Sequence, residues 1–345
     1  MEVRKVFEPA AIGSMQMKNR IFRAATGDAY AENGYYTAKD FSWYEEAAEG
    51  GAGAIISGLA NVCDYPMRDE PGMLGIYDAS FLDEYTKLAE MIHQKDSRLI
   101  VQLVHCGSNT YVKGQTIFAP SAVTNPMSGA EPVELSLDDI DRIRTAFVRA
   151  ALLAKDAGCD GVELHGAHGY LLHEFLSTYY NKRTDAYGGS LENRCRLLME
   201  ICTEIRKATD PQFPILVKIN CNDVVPGISK EDFLETGQLL ETAGASAIEV
   251  SGSWRSNKSW QPYFLAETRE LAEALEIPVI LTGGVRDPEE LEKILAESEI
   301  SFAGMCRPFI VEPKLLDRWK SGNLGRSWCR SCNACMTTKL VCPYR

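Results

Sequence analysis

Gly161-Val-Glu-Leu-His165-Gly-Ala-His168-Gly-Tyr170 runs from an apolar strand straight into three side chains that hydrogen-bond and hold protons. Val162 and Leu164 are residues of a buried apolar strand. His165, His168 and Tyr170 therefore gather just beyond a strand's C-terminal end. Two imidazoles beside a phenol can polarise a carbonyl oxygen and supply a proton next to it.

Working outward, short apolar runs alternate with longer amphipathic ones. Strands are expected at 20–26, 54–58, 99–105, 161–165, 215–220, 247–251, 279–282 and 302–305. Helical patterns lie between them at 40–49, 81–94, 137–157, 191–208, 230–243, 264–275 and 288–295. Ser229 and Asp287 stand where N-caps belong, and Gly158 and Gly244 where helices stop. Strands alternating with helices imply parallel pairing. Eight such units fit the α/β class as a closed (β/α)₈ TIM barrel. An open dinucleotide-binding sheet would place a glycine-rich turn after its first strand. Gly50-Gly51-Ala52-Gly53 instead follows a helix and precedes a strand, so it reads as a helix stop. In a barrel, active groups collect at the C-terminal ends of strands. Thr26, Gln102, His105, His165, His168, Tyr170, Lys218, Gly283, Gly284 and Arg307 all fall there.

The bulk numbers narrow the class. With 45% hydrophobic residues the chain can build a sizeable core. A net charge of −12 repels a polyanion, so no nucleic-acid partner is expected. No apolar run is long enough to span a membrane, and the start lacks the apolar stretch of a secretory signal. Eleven cysteines without such a signal point to a reducing, cytoplasmic setting. Cys63, Cys106, Cys159, Cys195, Cys202, Cys221 and Cys306 are scattered, and most read as small core residues.

The stretch from His165 through Phe175-Leu-Ser177, continued by Asn181-Lys-Arg-Thr-Asp-Ala-Tyr-Gly-Gly-Ser-Leu-Glu-Asn-Arg194, resembles the signature of the Old Yellow Enzyme family. Weaker matches extend the resemblance from Asn19 to about Pro313. The resemblance implies an FMN-dependent oxidoreductase that takes hydride from NAD(P)H. It implies backbone contact with the flavin at Ala24, Ala25, Thr26 and Gly27, and close approach at Gly58. Gln102 would bond the pyrimidine edge, with Lys218 as a cation beside it, stabilising the anionic reduced flavin. His165 and His168 would anchor a substrate carbonyl while Tyr170 protonates the neighbouring carbon. The substrate would then be a small α,β-unsaturated carbonyl compound, reduced by ping-pong turnover.

A phosphate site is expected without the family. Barrels bind phosphate at the loops after strands seven and eight. Gly283 and Gly284 permit close backbone approach there, Cys306 offers its amide and Arg307 a guanidinium. Cys306 stands where the family usually has glycine. Asn181, Arg183, Asp185 and Arg194 read as loop-stabilising, His173 and His93 as helix or surface residues. Trp254, Arg255 and Trp260 are candidates for shaping substrate access.

Cys329, Cys332, Cys335 and Cys342 crowd into the last stretch, so the division expected is a barrel over 1–322 and a cysteine-rich tail over 323–345. The tail resembles the [4Fe–4S] motif of larger relatives such as trimethylamine dehydrogenase and dienoyl-CoA reductase. The interval before Cys342 is about half theirs, and the sequence runs only to Arg345 where they continue into further domains. A cluster, a zinc site and free thiols all remain open. Rival readings are an amine dehydrogenase or demethylase, an aldolase using Lys218 as a Schiff-base lysine, and an electron-transfer subunit of a larger complex. The oligomeric state is open, with a homo-oligomer among the alternatives.

Overall fold

The computed structural model of the chain describes residues 3–27, 30–64, 73–110, 114–223, 225–252, 261–336 and 340–345. Eight parallel strands carry the architecture: β1 (Ile21–Arg23), β2 (Ala54–Asn61), β3 (Arg98–Val104), β4 (Gly161–Gly166), β5 (Ile215–Asn220), β6 (Ala247–Ser251), β7 (Val279–Thr282) and β8 (Phe302–Met305). Each pairs with its sequence neighbours, and β8 closes on β1 through Ala303 opposite Ile21. The result is the (β/α)₈ barrel expected from the sequence.

Strand side chains alternate between two environments because the strand period is two residues. Leu99, Val101, Val162, Leu164, Val217, Ile248, Val250 and Leu281 face outward and join the large core beneath the helices. Phe22, Ala54, Ile56, Ile100, Leu216, Ala247, Ile280 and Phe302 face inward and fill the lower half of the barrel. Phe22 meets Phe302 edge to face at 5.5 Å. Truncating Phe302 to alanine would cost about 3–5 kcal/mol. Two residues further along several of these inner rows the character changes: Gln102, Lys218, Glu249 and Thr282 replace the hydrophobes. The barrel is dry below and polar above.

Helices α1 (Ala38–Glu49), α2 (Leu82–His93), α3 (Leu137–Asp156), α4 (Leu171–Leu176), α5 (Leu191–Ala208), α6 (Lys230–Thr242), α7 (Leu265–Ala274), α8 (Pro288–Glu297), α9 (Arg307–Val311) and α10 (Leu315–Lys320) include the covering layer. Ser229 caps α6 in a reciprocal box with Asp232, and Asp287 accepts from the Glu289 and Glu290 amides at the start of α8. Gly158 (φ +80°) and Gly244 (φ +98°) take the left-handed conformation just past α3 and α6. Among the described residues no helix is long and apolar enough to cross a membrane.

Three differences from expectation have local causes. An antiparallel hairpin, Ala10–Ile12 with Met15–Met17, plugs the lower end of the barrel with Ile12, Met15 and Met17. Strand β2 does not end at Gly58; its pairing to β3 shifts between Ile56 and Leu59 and then continues to Asn61. The six-residue α4 is wholly buried, so it shows no amphipathic face.

Candidate active site

The β4 segment ends in Gly166, and the chain then reverses through two left-handed residues, His168 (φ +60°) and Gly169 (φ +76°). A histidine in that region is strained by about 1–2 kcal/mol. Neighbours hold it there: Asn220 Oδ1 accepts from the His168 amide (3.4 Å), and Asn109 Nδ2 donates to its carbonyl (3.1 Å). The turn brings His165 and His168 to 5.0 Å between ring centroids, nearly perpendicular, with Tyr170 4.8 Å from His165. The three side chains singled out in the sequence thus form one group.

Both imidazoles are held neutral. Burial, then His168, then Lys218 push the His165 pKa well below its ordinary value. Burial and Lys218 take His168 down to about 3. A neutral imidazole carries one N–H, so each ring has one donor and one acceptor. His168 Nε2 lies 2.8 Å from Ser251 Oγ, and buried His165 Nδ1 has no partner among the described residues. His105, at the end of β3, is likewise neutral; burial lowers its pKa to about 4, and Nδ1 accepts from the Gly107 amide.

His173 is a helix residue, one of the two alternatives expected, and not a surface one. It is buried on α4, and because the Gly169 N–H donates to Nδ1, the ring proton belongs on Nε2, 2.6 Å from Asp223 Oδ1. Asn220 also donates to Asp223 (3.2 Å), so this buried dyad braces the turn that carries His168.

Below the histidines lies a charged floor. Lys218 is not a lone cation: its ammonium sits 3.1 Å from Glu163 on β4 and 3.2 Å from Glu249 on β6. Gln102 donates to the same Glu163 oxygen at 2.5 Å. Burial alone would lower the lysine pKa, but the two carboxylates outweigh it and raise it. A lysine so held is protonated, which argues against the Schiff-base alternative. Glu163 is raised well above the carboxylate range by burial and by Glu249.

At the other side of the barrel mouth, Gly283 (φ +105°) and Gly284 (φ +82°) follow β7 in conformations that exclude side chains. Cys306 leads into α9, and its sulfur accepts a hydrogen bond from Thr26 at 2.8 Å across the β1–β8 seam. Arg307 donates to Asn333 Oδ1 (2.5 Å) and to the Tyr263 hydroxyl (3.3 Å). Arg286 donates to Ser331 Oγ (2.6 Å), which also receives the Tyr263 hydroxyl (3.0 Å). The tail expected over 323–345 therefore packs across the loops after β7 and β8.

The tail cysteines stand in different surroundings, with Cys306, Cys329 and Cys342 all near enough to act on the Cys335 thiol. Cys335 is buried and its thiol pushed up to about 11, chiefly by burial, while Cys332 is exposed. Cys335 packs in an apolar cluster with Ile310 and Leu340, against which Cys306 and Cys342 lie. Among the described residues no three Cys, His, Asp or Glu side chains are placed to hold a metal ion.

The residues present do fit a flavin. Within the barrel mouth the buried His165 Nδ1 and Thr282 Oγ1 have no partner among the described residues. Gln102 and Lys218 have further N–H groups to offer beyond those given to Glu163 and Glu249. Buried Ala24 and Thr26 continue from β1. Gly58 donates its amide to Tyr44 Oη (2.7 Å), and half-buried Ala25 packs against the barrel's inner cluster. Gly27 is exposed with open space around it. Trp254, Arg255 and Trp260 lie outside the described residues. Glu163, Glu249, Ser251 and Asp223 were missed by the sequence reading. The signal was present for the first two, as charges at inward positions of otherwise apolar strands. Asn181, Arg183 and Arg194 do brace the loop: Arg183 donates to the Pro120 and Leu135 carbonyls, and Arg194 to that of Leu176.

The sequence profile of the NADH:flavin oxidoreductase / NADH oxidase family matches residues 5–324. A metal reductase of Desulforamulus reducens is 33% identical over 92% of this chain. The chain spans 49% of that relative's length. An NADPH dehydrogenase of Bacillus subtilis is 31% identical, over 90% of this chain and 92% of that protein. Among solved structures, a 2-naphthoyl-CoA reductase complex superposes with a TM-score of 0.88 at 26% identity, covering 96% of this chain and 54% of that one.

Proposed function

The chain belongs to the NADH:flavin oxidoreductase / NADH oxidase family, and from that premise we propose that it is an FMN-dependent ene-reductase. It draws hydride from NAD(P)H and delivers it to the activated C=C bond of an α,β-unsaturated carbonyl compound. The observation that carries this reading is the neutral His165/His168 pair with Tyr170 beside it. Relatives named as an NADPH dehydrogenase and a 2-naphthoyl-CoA reductase support the reductant and the kind of acceptor.

FMN, when bound, supplies the hydride carrier between the two substrates. Gln102 and Lys218 hold its pyrimidine edge; the Gly283 and Gly284 amides, the Cys306 amide and Arg307 hold its phosphate. Ala24, Ala25, Thr26, Gly27 and Gly58 provide backbone against which it lies. His165 and His168 each place one N–H on the substrate's carbonyl oxygen. A Ser251 hydroxyl that donates to His168 Nε2, 2.8 Å away, would leave that ring's proton on Nδ1. Such donors act where charge develops and are worth about 10²–10³ in rate each. Tyr170 keeps its proton at neutral pH and gives it to the carbon beside the carbonyl. NAD(P)H uses the same mouth, so a separate dinucleotide-binding fold is not needed.

The test is an absorption spectrum of purified protein with identification of released chromophore, followed by separate half-reactions. Two flavin bands, released FMN and NAD(P)H-dependent reduction of cyclohexenone are expected. His165→Ala with His168→Ala should slow enone reduction at least about a hundredfold and flavin reduction by NAD(P)H far less. A colourless protein that FMN does not restore refutes the flavin reading. Turnover of amines without NAD(P)H would favour an amine dehydrogenase.

A further inference from the structure

Three ionisable side chains stand on three consecutive strands in the barrel interior: Glu163 on β4, Lys218 on β5 and Glu249 on β6. Both carboxylates are fully buried, and Lys218 is 3% exposed. Ionised groups withdrawn from water are costly unless compensated, and removing one member leaves an unpaired buried charge. The two carboxylates are compensated unequally. Glu163 accepts from Gln102 at 2.5 Å and from Lys218 at 3.1 Å. Glu249 meets the Lys218 ammonium at 3.2 Å and lies close enough to Glu163 to raise that carboxyl's pKa. The register of β5 on β6 puts Lys218 directly opposite Glu249, and that of β5 on β4 puts it opposite His165.

The lysine's field reaches the catalytic group, since it is among the causes that keep His165 and His168 neutral. Facing Lys218 from the surrounding elements are Gln102 on β3, Glu163 and His165 on β4, and Glu249 on β6. His168 in the β4 turn and His173 on α4 lie beyond. Of these, the groups that oppose its positive charge are the two carboxylates.

We propose that Glu249 is a positioning residue for the flavin: by pairing with Lys218 it sets how strongly the barrel mouth favours the reduced, negatively charged cofactor over the oxidised, neutral one. This rests on the flavin reading above. Two strands away from the histidine turn, Glu249 moderates the cation that the reduced cofactor meets. Removing its charge leaves Lys218 less compensated and the reduced form better held.

The experiment measures FMN affinity of the apoprotein in both redox states, with the midpoint potential by spectroelectrochemistry, for wild type, Glu249→Gln, Glu249→Met and Glu249→Asp. Loss of charge in Glu249→Gln should raise the preference for reduced over oxidised FMN by roughly tenfold, a shift of about +30 mV for a two-electron couple. Glu249→Met removes the same charge with a side chain of similar volume, and the result is read from whichever of the two folds and binds FMN. Glu249→Asp keeps the charge and should stay within about twofold of wild type. An unchanged preference in the neutral variants overturns the proposal, as does an equal shift in Glu249→Asp, which would assign the effect to shape. Wild-type protein that does not bind FMN would instead sink the functional reading on which the proposal stands.

Discussion

Glu174→Gln should change how stability depends on pH. Glu174 is fully buried on α4, immediately after the histidine turn. Its Oε1 accepts from the Ser108 amide (2.9 Å) and from the Ser108 hydroxyl, and its Oε2 has no partner. Burial raises its pKa from 4.5 to about 8, although bonds from Ser108 and Asn125 pull the other way. A folded pKa above the unfolded one means that the native state holds the extra proton. The stabilisation is fully present below the unfolded value and is lost as pH rises toward 8. The slope is about 1.4 kcal/mol per pH unit and the whole interval about 5 kcal/mol. Glutamine keeps the shape and has no proton to lose. Urea unfolding of both proteins at about pH 5.5, 6.5 and 7.5 should therefore show the wild type losing about 3 kcal/mol relative to the variant. Parallel curves, with a difference constant to about 0.5 kcal/mol, would refute the assignment of a neutral buried carboxyl at Glu174.

His168→Gly should relieve the left-handed backbone, gaining about 1 kcal/mol in unfolding measurements, while enone reduction falls at least about a hundredfold; a destabilised variant would remove the strain argument. Tyr170→Phe should slow enone reduction by about 10²–10⁴ and leave quinone reduction, which needs no carbon protonation, largely intact. Unchanged enone turnover would take Tyr170 out of the mechanism. Asn333→Ala should weaken FMN binding by about fivefold, because the Arg307 guanidinium loses the acceptor that orients it. Titration of apoprotein with FMN checks this, and equal affinity would show that the tail does not serve the phosphate site.

Much of this arrangement was legible in the residues. Strands β5, β6, β7 and β8 and helix α5 begin and end where the apolar runs and caps placed them. The strong signals were buried strands bounded by breakers and helices with capping side chains. What escaped has physical reasons. The plug hairpin has three-residue strands, too short for any periodicity to register. The β2 irregularity depends on pairing with β3, which no local pattern encodes. His173 was expected on a helix or at the surface; its burial escaped because α4 is too short to reveal that all its faces are covered. Lys218 was placed at the right strand end, but its acidic partners Glu163 and Glu249 were not foreseen. Period-two counting from Leu216, Ala247 and Gly161 would have put Lys218, Glu249 and Glu163 on the same inner wall. The left-handed turn at His168 was out of reach, since nothing in its residue type demands that conformation.

The closure of β8 on β1 has a bearing on how the chain is made. Ile21 waits for Ala303, and the Lys5 and Val6 amides wait for the Glu292 carboxylate on α8. At a synthesis rate of about 5–20 residues per second, the first strand leaves the ribosome on the order of half a minute before its partner exists. Throughout that interval β1 presents an unpaired edge, and the inner face of the nascent sheet lacks Ile280 and Phe302. High sequence separation of this kind slows the final step of folding. Chain closure, rather than any single helix or hairpin, is therefore the event at which the nascent protein passes from aggregation-prone to protected.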